Sequence, residues 1–140
     1  MLTSTLRIII AIVLSAHGIG HVLGLLAALG IKPTPSHLAR SWLLTNLLGA
    51  ATSRVLVFVI FLAATLGFVS AGLGMFDWLV PGSMWQQLAI GSSVLSLMGL
   101  TLFLNAFPSI FPNWIGANAV NVAVLVSLLW LRWPPEIVGG

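Results

Sequence analysis

The chain has no cysteine and no tyrosine among its 140 residues, and only five basic and two acidic side chains. Without cysteine there is no disulfide, thiolate nucleophile, iron–sulfur ligand set or dithiol relay. Without tyrosine no phenol can donate a proton or carry a radical. The charges, Arg7, Lys32, Arg40, Arg54 and Arg132 against Asp77 and Glu136, stand singly rather than in runs. Nucleic-acid affinity needs a dense basic patch that releases counterions, so a formal charge of +3 spread this thinly argues for no nucleic-acid partner.

What fills the chain is apolar. Hydrophobic residues make up 59% and charged ones 5%, against roughly 45–50% and 25% in a soluble domain. The lipid bilayer is the expected partner. A hydrocarbon core of about 30 Å takes about 20 helical residues to cross, and four such runs use more than half of the chain, so one transmembrane domain over residues 1–140 is expected.

The runs fall at residues 6–30, 55–74, 84–106 and 115–133, bounded by Lys32-Pro33, Arg54, Gly72 and Gly74, Pro108 and Pro112, and Pro134-Pro135. The first is longer than the roughly 7–15 apolar residues of a secretory signal and holds two histidines, so it is expected to stay as a span. Residues 35–52 have another texture. Thr34-Pro35 suits a helix start, and Leu38, Trp42, Leu44, Leu47, Leu48 and Ala51 recur at helical spacing opposite His37, Ser41, Thr45 and Thr52. This pattern predicts an amphipathic helix lying in the interface; an inward prolongation of the second span is the alternative. The expected fold is therefore an all-α integral membrane protein, an antiparallel four-transmembrane-helix bundle with an interfacial amphipathic helix between spans one and two. Trp78, Trp85, Trp114, Trp130 and Trp133 lie near span ends, as in an aromatic belt, and three basic residues against two place the first loop in the cytoplasm.

Helices associate in lipid through small residues and interhelical hydrogen bonds. Ala16, Gly20, Gly24 and Ala28 repeat every four residues on the first span, Ala63, Gly67 and Ala71 on the second, and Ser92, Ser96 and Gly99 share a side of the third. These stripes are expected to pack the bundle, with a homo-oligomer as the other use of such a groove.

His17 and His21, four apart, share a helix face, and ionisable groups at that depth are functional candidates. Alternating span direction brings Asn105, Asn118 and Asn121 to the same side. A rise of about 1.5 Å per residue puts Asn121 within a turn of His21 in depth. The expected site is a polar pocket of His17, His21, Asn118 and Asn121, with Ser92 or Ser96 as a further wall. Few polar groups in an apolar setting suit an apolar or amphiphilic small molecule, quinone-like or lipid-like. Two other uses stay open. The chain could be a non-catalytic structural or assembly subunit of a larger membrane complex, its histidines only locking helix register. Alternatively His17 and His21 could hold a metal ion or a haem, although a metal needs a third ligand from His37 or the two carboxylates. Either histidine could act as a general base, yet nothing in the sequence requires a reaction.

Arg7, the apolar run after it, the His17-Gly18 pair, His21 where a lysine is common, and the closing Gly24 resemble the first helix of the DoxX-like four-helix membrane proteins. The likeness covers about one span of the four. It implies a four-helix bundle in a bacterial inner membrane and association with a quinone-linked oxidoreductase system, since the founding members are subunits of a thiosulfate–quinone oxidoreductase.

Overall fold

The computed structural model describes residues 4–134, so Pro135 and Glu136 lie outside the described residues. Those described form helices, turns and coil, with no strand. Three helical stretches, Ser4–Leu29, Ala50–Gly74 and Ile110–Trp130, are long and apolar enough to cross a membrane. The remaining long helix, Trp85–Leu102, is diluted by Gln86, Gln87, Ser92, Ser93 and Ser96.

The first stretch is two helices, α1 (Ser4–Gly20) and α2 (Val22–Leu29), joined at His21. In an unbroken helix the His21 amide would bond the carbonyl of His17; it bonds that of Gly18 instead, at 3.1 Å. The turn is tightened and the His17 carbonyl is released. α2 stops at Gly30, whose φ of 79° is a left-handed cap that glycine adopts without strain.

A short helix α3 (Leu44–Leu48) precedes α4 (Ala50–Gly74), the central element. α1 and α2 run antiparallel to α4: Gly72 sits beside Ala11 and Ser15, Gly18 against Phe68 and Thr65, and Gly24 against the Phe61 ring. A Cβ at any of these glycines would collide with the facing helix, so their absence of side chain lets the helices approach closely. α5 (Trp85–Leu102) lies antiparallel on another side of α4, with Gly67 facing Ser92 and Gly99 facing Ile60 and Phe61. α6 (Ile115–Leu125) continues through a wider turn to Trp130 and packs chiefly on α5, with Asn121 its one buried residue. One core cluster gathers Phe61, Leu100, Phe103 and Phe107; the other gathers Leu14, Phe68, Met75 and Trp85.

Three sequence expectations need correction. Gly24 and Gly67 make close contacts, but Ala16 and Gly20 are exposed. A repeat of four advances about 40° per step around a helix of 3.6 residues per turn, so the stripe rotates off the α4 seam. Trp85 is only 2% exposed and belongs to the core rather than to a belt. Finally, the amphipathic helix over 35–52 does not form: residues 31–43 are coil and turns, and Gly49, at φ 86°, separates the five residues of α3 from α4.

The cause is His37. Its buried ring directs Nε2 between the carbonyls of Leu23 (3.0 Å) and Ala106 (2.9 Å). The Leu38 amide bonds the Asn105 carbonyl at 2.7 Å, and Ser41 Oγ accepts from the amides of Leu43 and Leu44. These bonds give the backbone an alternative to a helical ladder. Residues 50–52 do prolong the second run inward, since α4 begins at Ala50.

Gly24→Leu, which drives a side chain into Phe61, should cost about 1–3 kcal/mol of stability, the usual penalty of overpacking. Gly20→Leu, which meets open space, should leave thermal unfolding in detergent unchanged. Equal losses would return Gly20 to the packing seam.

Candidate functional site

The carbonyl released at His17 organises the polar interior. His21 Nδ1 lies 2.8 Å from it and must donate, because a carbonyl can only accept. In a neutral ring His21 Nε2 is then bare, so it accepts from the Ser96 hydroxyl, which it meets at short range. Ser96 Oγ in turn accepts from Asn121 Nδ2 at 2.7 Å. The Asn121 amide therefore points Oδ1 at His17 Nε2, 2.9 Å away, and that nitrogen carries the proton. One carbonyl thus fixes both tautomers and every donor in a circuit joining α1, α5 and α6. Ser96, Asn121 and His21 are all essentially buried. A buried polar group left unmatched costs about 1–3 kcal/mol.

His17 is only partly buried, and Nδ1 is its remaining acceptor; no hydrogen bond is made to it among the described residues. Aromatic rings pack the other sides. Phe68 meets His17 edge-on at 4.7 Å and stacks on His21 at 5.6 Å, while Phe61 and Phe107 complete the wall around His21. The open side is a cleft of about 260 Å³ between α1–α2 and the start of α6, lined by Ala16, His17, Gly20, His21, Asn113, Gly116 and Ala117, among others. Ala16 and Gly20 thus serve the cleft rather than the seam. Small residues face each other across it, which leaves space where larger side chains would close the gap.

Of the residues expected in the pocket, His17, His21, Asn121 and Ser96 come together. Asn118 does not: its Nδ2 bonds the Trp114 carbonyl of its own chain segment at 2.8 Å. Short polar side chains often satisfy themselves locally in this way. Asn105 lies beyond α5 and is exposed, its carbonyl taken by Leu38. Ser92 packs against Gly67 instead. The sequence reading missed the phenylalanine wall and Asn113, which donates to Ser109 Oγ and leaves its Oδ1 unpaired beside the cleft. Both Nε2 atoms of the pair are committed, and no group of three His, Cys, Asp or Glu forms among the described residues. A metal at His17 and His21 has no third such ligand there.

No family model matches the chain, and no curated protein or solved structure does either. The DoxX-like resemblance rests on Arg7, His17, Gly18 and Gly24 alone.

Asn121→Ala strands His17 Nε2–H and should cost about 1–3 kcal/mol in detergent unfolding, and Ser96→Ala a similar amount. The double variant should cost clearly less than the two added, because both remove one circuit. Strict additivity would mean that the bonds are independent.

Proposed function

We propose that the chain is a four-span membrane protein that binds a hydroxyl-bearing amphiphile, quinol-like or lipid-like, between α1 and α6, with the ligand hydroxyl donating to His17 Nδ1. The observation that carries this is the single uncommitted ring nitrogen of the circuit, on a residue that lines the cleft. Asn113 Oδ1 offers a second acceptor at the same cleft. Two acceptors favour a ligand with O–H donors: a quinol can meet both, whereas a quinone carbonyl finds only the second N–H of Asn113.

A second cleft, of about 230 Å³, continues along the α1–α6 seam and shares Val120 with the first. Ile9, Val13, Val124 and Leu128 among its walls are apolar, which suits the tail of such a molecule. For α5 as the fourth span, its 18 residues cover about 27 Å at about 1.5 Å each, and its partners lie antiparallel on both sides, α6 by the pairing of Ser96 with Asn121 and of Leu100 with Trp114. The DoxX-like resemblance supports the same ligand class and a bacterial inner membrane. The site supports binding; no reaction is assigned to it.

The alternative is a structural or assembly subunit, for which α6 turns Ile115 and Val122 outward, with Val126 and Leu129 beyond it. That face suits lipid or a larger complex equally.

The deciding experiment combines mass spectrometry of an organic extract with titration of the purified protein by a short-tailed benzoquinol and by its oxidised form. The quinol should bind more tightly, and His17→Phe should weaken it roughly tenfold, the factor that one lost hydrogen bond of about 1.4 kcal/mol implies. Equal binding of both redox forms, unchanged by His17→Phe, would favour the assembly role.

A further inference from the structure

A second site stands in the loop between α2 and α3, which the sequence pattern misassigns. His37 anchors that loop to Leu23 and Ala106, and the Trp42 indole N–H bonds the Thr101 carbonyl at 2.9 Å. Between the loop and the turn after α5 they hold open a cleft of about 280 Å³, lined by Arg40, Ser41, Trp42, Thr45, Asn46 and Asn105, with Leu38 and Leu104. The roles of its polar groups divide cleanly. Ser41 Oγ and Thr45 Oγ1 are committed to bonds within the loop and to Ser53 of α4, whereas the side chains of Arg40, Asn46 and Asn105 have no partner among the described residues. One cation and two amides therefore border one cleft with their donors unused.

The charge around it is one-sided. Lys32 and Arg54 flank the same loop and are exposed, as is Arg40. The acid among the described residues, Asp77, sits in the distant turn between α4 and α5, where its Oδ1 accepts from the Gly82 amide at 2.7 Å. A guanidinium fork with amide donors matches phosphate oxygens, and an exposed tryptophan beside it suits headgroup depth.

We infer that this cleft binds the phosphate of an anionic phospholipid headgroup, with Arg40 as its principal contact and Asn46 and Asn105 as supporting donors. The inference is independent of the histidine cleft, because the two share no lining residue. The same chemistry would accept free inorganic phosphate, but a lipid is delivered at this depth by the bilayer, and each basic residue near an anionic surface contributes about 1 kcal/mol.

Native mass spectrometry of the detergent-solubilised protein, with phosphatidylglycerol and phosphatidylcholine in competition, tests it. Phosphatidylglycerol should be retained preferentially, and Arg40→Gln should weaken its retention about five-fold, which is what about 1 kcal/mol corresponds to. Arg7→Gln, near the other end of α1, should change nothing. Arg40 is exposed, so its unfolding temperature serves to show that the variant is intact. Equal retention of both lipids, or equal effects of Arg40→Gln and Arg7→Gln, would overturn the assignment. Release of the lipid by inorganic phosphate at matched ionic strength would transfer the site to the free ion and overturn the lipid assignment as well.

Discussion

A carbonyl in an apolar interior must find a donor, and in this chain the carbonyl of His17 finds it in the ring of His21, one turn on. The tightened turn at His21 makes that possible by sending the backbone amide to Gly18. Once His21 Nδ1 is the donor, the roles of Ser96, Asn121 and His17 follow in order. The circuit ties α6 to α1 and α5 at the point where α6 has its one buried residue. At its start the Trp114 indole adds a bond to the Leu100 carbonyl of α5 at 3.0 Å; toward α1 the contact is apolar, and the histidine cleft and its apolar continuation open along that loosely filled seam.

Much of this was legible in the sequence where one physical rule acts alone. Helix length and apolarity marked the long helices. The rise per residue placed Asn121 within a turn of His21 in depth, and the four-residue spacing put the two histidines on one face. The reading failed where tertiary bonds compete with local pattern. His37 belongs on the polar side of a helix by periodicity, yet it is buried between two carbonyls and unwinds the segment around it. Asn118 sits one turn from Asn121 but closes on its own backbone. Ala16 and Gly20 look continuous with Gly24, although a four-residue repeat cannot stay on one seam for four members. The failures at His37 and Asn118 are side chains with two chemically reasonable partners, and sequence spacing does not choose between them.

The two clefts divide the chemistry of an amphiphile in complementary ways. The one at the histidines presents acceptors, His17 Nδ1 and Asn113 Oδ1, and continues into an apolar seam. The one at the loop presents donors, from Arg40, Asn46 and Asn105, and opens among exposed basic residues. Hydroxyl-bearing ligands belong to the first and anionic oxygens to the second. His37 belongs to neither, but it holds the loop that makes the second and touches the helices that carry the first.

The central claim is that His17 carries its proton on Nε2 and keeps Nδ1 open, while His21 carries its proton on Nδ1 and accepts from Ser96 at Nε2. Nitrogen-15 NMR of histidine-labelled protein measures this directly, since protonated and bare ring nitrogens resonate far apart. The account predicts opposite tautomers for the two residues, with the His17 Nδ1 resonance alone shifting when a quinol is added. Identical tautomers, or two doubly protonated rings, would contradict the circuit and the site built on it.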